Sequence, residues 1–447
     1  MSMHAQKIAD GDVAIDLHPF IRKYNDGRVE RILRSSFVPA SEDPAASRGG
    51  VATRDVIIDE RNGVFARLFL PSAAPAAGSR RRLPVILYIH GGSFCTESAF
   101  CRTYHRYAAS LASRAGALVV SVEYRLAPEH PVPAAHDDAW AALRWVASLS
   151  DPWLANYADP SRTFIAGDSA GGHIAYRTAV RAASREGGDI GIEGLIIIHP
   201  YFWGARMLPS EAAWDGESVI KPHQVGELWP FVTSGKAGND DPWIDPPVEE
   251  VASLTCRRAL VAVAEKDFLR DRGRLLAARM RGCAWAGGGD GRNVTLVESE
   301  GEDHGFHLYS PLRATSRRLM ESVVRFINER SAAAAVAATS PWPAGVLPEL
   351  HECSPSRARK GKMSKAQPLL SVPSRPYQGV FLNGPDLQAP RGPSAMKINN
   401  ALTVGLDKAS KRGFGSFATW ANPNNRRAIK RPLSASVSRN IVAKNFF

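Results

Sequence analysis

Residues 162–180 read RTFIAGDSAGGHIAYRTAV. RTFIA predicts a β-strand and GGHIAYRTAV a helix, so Gly167-Asp168-Ser169-Ala170-Gly171 must reverse the chain within a few residues. So sharp a turn needs small residues, because a Cβ at either glycine would collide with neighbouring backbone. Its geometry lifts the Ser169 hydroxyl clear of the strand ends. It also aims the Ala170 N–H at whatever that hydroxyl attacks, and the helix N-terminus beneath adds partial positive charge. By itself the pentapeptide also fits a glycine turn carrying a bystander serine, so its neighbours must decide.

Working outward, short continuous apolar runs recur: LPVILYIH (83–90), ALVVSVEY (117–124), GLIIIHP (194–200), ALVAVAEKD (259–267) and NVTLVESE (293–300). Strands apolar on both faces are what a covered parallel sheet requires. Between them lie helix-like segments at 105–116, 134–149, 171–185 and 270–282, and a closing one at 311–329. Strand and helix in alternation predict an α/β fold, mostly parallel, with helices on both faces. At its start RDVIIDE and GVFARLFLP flank Asn62-Gly63, a hairpin signal.

His90-Gly91-Gly92-Ser93-Phe94 directly follows the strand at 83–90. Glycines there let backbone N–H groups face a cavity without a side chain filling it. Gly91 and Gly92, with Ser93 as a further donor, would join Ala170 in stabilising an oxyanion, each donor being worth roughly 10²–10³ in rate. Asp267 closes the strand at 259–267, and His304 lies in GEDHGFHL after the strand at 293–300. Both fall at carboxyl ends of predicted strands, where α/β sheets carry their sites. In chain order Ser169, Asp267 and His304 form a nucleophile, an orienting acid and a base. Asp271 and Asp303 compete for the acid role and His307 for the base. His304-x-x-His307 lacks a third clustered ligand, so no metal is expected, and no cofactor motif is present.

HGGSF, VEYRLAPEHPVPAAHDDAWAALRWV (122–146), GDSAGGHIA, EKDFLRDRG and GEDHGFHL together resemble the hormone-sensitive-lipase-like α/β-hydrolases. More narrowly the chain is similar to the plant carboxylesterase family, which also includes gibberellin receptors; HPFIRKYNDGRVERIL and ARLFLP extend the likeness over roughly residues 12–330. The resemblance implies an α/β-hydrolase fold and ester hydrolysis through Ser169, Asp267 and His304, without a cofactor. It implies loop-fixing, non-catalytic work for Tyr124, Arg125, Pro128, Glu129 and His130. One departure is His173, where the family usually has Asn. A hormone receptor on this scaffold is disfavoured because those receptors lack the histidine that His304 supplies. A flavonoid dehydratase using the same triad stays open.

The implied domains are a lid segment over 1–50, a catalytic domain over 51–330 and an extension over 331–447. Residues 15–33, IDLHPFIRKYNDGRVERIL, would give an amphipathic helix or lid. Phe94, Phe202, Trp203, Trp214, Phe268 and Phe306 flank the motifs and are candidates for an apolar pocket or for core. The chain's net charge of +12 would suggest nucleic acid, but 17 Lys and Arg against 4 Asp and Glu lie beyond Arg330. That leaves 39 against 40 before it. The tail, rich in Ala, Pro and Ser, reads as disordered. KRGFGSF and NNRRAIKRP complete no nucleic-acid motif. Five scattered cysteines, no apolar leader and no span of ~18 apolar residues predict a soluble cytoplasmic protein, with the nucleus as the other compartment. The expected partner is a small ester; no membrane is involved and the sequence sets no oligomeric state.

Overall fold

The chain enters through three short antiparallel strands, β1 (Val13–Leu17), β2 (Ile21–Tyr24) and β3 (Val29–Arg31), paired in that order. This computed structural model describes residues 12–46, 49–188, 190–287 and 293–329. The expectations for the basic tail therefore lie outside the described residues. The helix anticipated within residues 15–33 is not formed. Pro19 removes a backbone donor and disfavours helical geometry at His18. Asn25-Asp26-Gly27, with Gly27 at φ +85°, turns the chain back. Leu17, Ile21 and Tyr24 are buried, while Asp16 and Arg22 pair across the two strands.

The main sheet has eight strands. They are β4 (Val51–Asp59), β5 (Val64–Pro71), β6 (Leu83–Ile89), β7 (Leu118–Glu123), β8 (Ala158–Asp168), β9 (Gly194–Ile198), β10 (Arg258–Ala264) and β11 (Asn293–Ser299). They run in the order β11-β10-β9-β8-β6-β7-β5-β4. All neighbours from β7 across to β11 are parallel, and β5 is antiparallel to both β4 and β7. Every residue of β6, β9 and β10 is buried, which explains their unbroken apolar runs.

Helices cover both faces: α1 (Arg102–Ala115), α2 (Ala134–Ser148), α3 (Pro152–Tyr157), α4 (Ala170–Ala183), α5 (Pro209–Ala212), α6 (Pro222–Val232), α7 (Val248–Ser253), α8 (Arg270–Gly282), α9 (Ala284–Gly287), α10 (Phe306–Tyr309) and α11 (Ala314–Asn328). β6 shows how the core divides. Val85, Leu87 and Ile89 face one layer with Leu143, Ile174 and Leu276 of α2, α4 and α8. Ile86 and Tyr88 face the other with Leu111, Val323 and Phe326 of α1 and α11. α5, α6 and α7 belong to an insertion between β9 and β10, held partly by the buried Arg272–Glu211 pair (Nε to Oε1, 2.6 Å). Among the described residues no helix is long and apolar enough to cross a membrane.

The sheet register brings the strand ends level. Ile89 stands opposite Gly167, Asp168 opposite Ile198, Ala262 opposite Ile198, and Ala264 opposite Ser299. The loops that follow β6, β8, β10 and β11 therefore emerge side by side. These are the loops that carry HGGSF, Ser169, Asp267 and His304.

Besides His304, the described residues bury five imidazoles, His90, His136, His173, His199 and His307, in or beside this core. Burial depresses all of them, His90 to about 4, His136 and His307 to about 3, and His173 and His199 well below 6.5. Protons then bind the unfolded chain preferentially, so this stability is complete above pH ~6.5 and is lost as pH falls. At pH 5 each such histidine costs about 2 kcal/mol. Glu123 and Asp168, raised by burial to about 7 and about 6, offset part of that loss. The melting temperature should therefore fall steeply from pH ~6.5 towards pH ~5. A flat profile over that range would contradict neutral burial of the five rings.

Candidate functional site

Ser169 lies at the β8–α4 junction with φ +52° and ψ −121°, a conformation L-residues avoid. The turn is held by Ser169 N–H on the Ile198 carbonyl (2.9 Å), and Ser169's own carbonyl accepts from Tyr201 N–H (3.0 Å). It passes so close to β6 that a Cβ at Gly171 would stand 2.1 Å from the Ile89 carbonyl oxygen. Glycine is required there for space, as the sequence suggested.

Ser169 Oγ is 2.9 Å from His304 Nε2, and His304 Nδ1 is 2.8 Å from Asp267 Oδ2. Asp267 is 1% exposed and its other oxygen accepts the Leu269 N–H at 2.9 Å. Burial alone would raise this carboxyl, but the charge and hydrogen bond of His304 outweigh it and hold Asp267 below its usual value. Burial would likewise lower His304. The charge of Asp267 and its hydrogen bond reverse that and raise the imidazole above 6.5, with Asp303 and Asp168 adding to the effect. Such a pair is arranged to receive a proton at Nε2 and to stabilise the imidazolium that results.

The loop after β6 turns left-handed at three successive residues, Gly92 (φ +104°), Ser93 (+54°) and Phe94 (+60°). Among the described residues the N–H groups of Gly92, Ser93 and Ala170 have no protein acceptor. Gly91 differs: its N–H donates to the Tyr104 hydroxyl at 2.9 Å, so it is already engaged. Tyr124 braces the same loop by donating to the His90 carbonyl (2.9 Å) and stacks on the His90 ring at 4.2 Å. Arg125 pairs with Asp138 and Glu129 with Arg31, which is loop-fixing work of the kind the sequence suggested.

Over Ser169 lies a small cavity lined by Leu17, Phe20, Ser93, Tyr201, Ile220, Gln224, Val225 and Leu228. None of the six aromatic candidates lines it. Phe94, Phe202, Trp203, Phe268 and Phe306 are buried, and Trp214 packs on Phe268. The walls come instead from the N-terminal strands and from α6 with the segment before it. The Gln224 amide donates to the His18 carbonyl, joining those two walls. Arg31 Nε donates to the Cys95 carbonyl at 2.7 Å, tying the N-terminal sheet to the glycine loop. Ser93 falls in the glycine motif and Leu17 and Phe20 in the segment expected to form a lid, but no periodicity or motif marked Ile220, Gln224, Val225 or Leu228.

The competing residues are otherwise engaged. Asp271 pairs with Arg270 and Arg274, and hydrogen bonds from them and from Ser210 overcome its burial to hold it at about 2. Asp303 accepts from His304 N–H (2.6 Å), Ser218 Oγ (2.9 Å) and Val219 N–H (2.7 Å), which anchors the loop to the insertion. His307 is buried with neither ring nitrogen hydrogen-bonded among the described residues, its ring edge-on to Tyr107. His173 packs among Phe94, Phe202 and Trp229, with Nδ1 3.2 Å from the Tyr201 carbonyl oxygen. Among the described residues no three His, Cys, Asp or Glu side chains cluster to hold a metal.

A strand order with one antiparallel member near its start, a serine elbow after β8, and a Ser–His–Asp contact chain at the sheet's carboxyl edge define an α/β-hydrolase. A family profile of the α/β hydrolase fold matches residues 86–308. The chain is 41% identical over 327 residues to a 2-hydroxyisoflavanone dehydratase of Glycyrrhiza echinata, covering 70% of this chain and 95% of that protein. It is 36% identical to probable carboxylesterase 5 of Arabidopsis thaliana (71% and 99%) and 40% identical to tuliposide A-converting enzyme b3 of Tulipa gesneriana (71% and 81%). Among solved structures, an esterase of Pyrobaculum calidifontis matches at 30% identity and TM-score 0.51, over 62% of this chain and 84% of that one. The chain belongs to the plant carboxylesterase family of α/β-hydrolases and is, by class, a carboxylic ester hydrolase.

Substituting the two histidines separately tests the contact chain. His304→Ala should lower kcat by roughly 10⁴-fold or more with little change in Tm. His307→Ala should keep kcat within about threefold and instead lower Tm, because it only opens a void. A larger loss of kcat at 307 would contradict the geometry.

Proposed function

We propose that the protein hydrolyses small carboxylic esters with compact apolar acyl groups through an acyl-enzyme on Ser169. The unbroken chain from Ser169 Oγ through His304 to Asp267, beneath a small apolar cavity, is the observation that carries this reading. His304 Nε2 takes the hydroxyl proton as Oγ attacks the ester carbonyl. The N–H groups of Gly92, Ser93 and Ala170 receive the negative charge that develops on the carbonyl oxygen. His304 then returns the proton to the leaving alcohol, and water repeats the sequence in reverse to release the acid. Asp267 stays ionised and fixes the imidazole tautomer.

Ser169→Ala should reduce turnover of short p-nitrophenyl esters by roughly 10⁴–10⁶-fold and abolish labelling by a fluorophosphonate. Activity that survives the substitution would remove the acyl-enzyme. The similarity to a dehydratase supports a second reading, elimination of water with His304 as base. Water loss from a 2-hydroxyisoflavanone, assayed beside ester hydrolysis in the same variant, separates the two readings.

The first fifty residues belong to the catalytic unit in this proposal, supported by Leu17 and Phe20 in the cavity wall. Leu17→Ala, Phe20→Ala or Leu228→Ala should shift preference towards longer acyl chains, changing the octanoate-to-acetate ratio of kcat/KM by about 10-fold. An unaltered chain-length profile in all three would remove these residues from the acyl pocket. Cytoplasmic residence belongs to the same proposal, supported by the reduced thiols of Cys95, Cys101 and Cys283.

A further inference from the structure

The geometry points to Asp168 as a positioning residue: its carboxylate holds the glycine loop of the oxyanion site in register with the serine elbow. This inference rests on the acyl-enzyme reading. Asp168 is the last residue of β8, directly before Ser169, and is 3% exposed. Its Oδ1 accepts the Tyr88 hydroxyl at 2.7 Å and its Oδ2 the Tyr104 hydroxyl at 2.9 Å. Tyr88 lies on β6, just before the loop leaves the sheet, and Tyr104 sits in the first turn of α1, just after the loop ends. The Tyr104 oxygen also accepts the Gly91 N–H at 2.9 Å. One carboxylate thus gathers the chain entering the loop, the chain leaving it and an amide within it. The approach is close, since a Cβ on Gly91 would stand 2.5 Å from Oδ2.

Two features separate this arrangement from ordinary packing. Among the described residues Asp168 has no Lys or Arg partner, although a buried carboxylate normally requires one. The proton inventory also closes, without turning either phenol, for the ionised carboxylate. An ionised carboxylate accepts both phenol protons and leaves a Tyr104 lone pair for Gly91 N–H. Once protonated, one of its oxygens must donate, so Tyr88 or Tyr104 has to turn its own proton elsewhere and the cluster beneath Gly91 is rearranged. The groups facing it are Tyr88 from β6, Tyr104 and Tyr107 from α1, Tyr124 after β7, Tyr309 of α10 and His304. Burial raises Asp168 to about 6 against the pull of the Tyr88 and Tyr104 hydroxyls, His304 and Gly91 N–H. Loss of activity on the acid side should therefore involve two protons, one on His304 and one on Asp168.

Asp168→Asn offers a single acceptor oxygen and turns N–H groups towards a phenol that needs an acceptor. Kinetics of this variant, of Tyr104→Phe and of the double variant should show kcat falling about 10–100-fold while KM stays within about twofold. Affinity for a trifluoromethyl ketone, which binds as an oxyanion, should fall in parallel. The double variant should be no worse than Asp168→Asn alone, because both act through one contact. The acid limb of kcat/KM should have a slope of two in the wild type and one in Asp168→Asn. Folded variants that keep kcat and inhibitor affinity within twofold, or additive losses, would overturn the inference. So would a wild-type limb of slope one. Should Asp168→Asn not fold, Tyr104→Phe carries the same readouts. Ser169→Ala keeps the two claims apart: if it is inactive while Asp168→Asn matches wild type, only the role of Asp168 fails.

Discussion

Ser169 occupies a backbone conformation with positive φ, and the carboxyl edge of the sheet is organised around that constraint. Such a conformation costs on the order of 1–3 kcal/mol and persists only where the surroundings over-determine it. Here the surroundings are the buried parallel strands on either side. The Ile89 carbonyl crowds Gly171, and the Ile198 carbonyl takes the Ser169 N–H. A strand buried on both faces cannot slip by one residue without exchanging its two sets of side chains. The register that makes the elbow possible therefore also fixes where β10 and β11 deliver Asp267 and His304.

Electrostatics complete what the backbone begins. Asp267 and His304 are both buried, and each alone would be pushed towards its neutral form. Paired at 2.8 Å they reverse that tendency, the acid held down and the base held up. The neighbouring imidazoles His199 and His307 have no such partner and stay neutral. His199 still contributes through its Nδ1, which accepts the Gly305 N–H (N to Nδ1, 3.2 Å) and steadies the residue next to His304.

The parts of this protein visible in the sequence are those governed by local or one-dimensional rules. Strands β6, β9 and β10 announce themselves because burial on both faces demands unbroken apolar runs, and the elbow because a tight turn demands glycine. The order Ser169, Asp267, His304 was legible since each follows such a strand. The N-terminal strands were misread as a possible helix because apolar residues among charges fit both periods, and Pro19 carried the deciding information. Of the cavity walls, the segment carrying Leu17 and Phe20 was legible as a lid, but its partners in and before α6 were not. Leu17, Ile220 and Leu228 become neighbours only through tertiary packing, and the flanking aromatics proved to be core. The amide of Gly91 looked equivalent to that of Gly92, and only the position of the Tyr104 hydroxyl separates them.

The bond between Gln224 and the His18 carbonyl joins residues 206 positions apart. At a synthesis rate of about 5–20 residues per second, the first strands wait on the order of 10–40 s on the ribosome before α6 exists to receive them. Throughout that interval β1, β2 and β3 can pair with one another, but Leu17 and Phe20 lack the α6 wall that they later face. The N-terminal wall of the cavity over Ser169 is thus completed only once translation has passed α6.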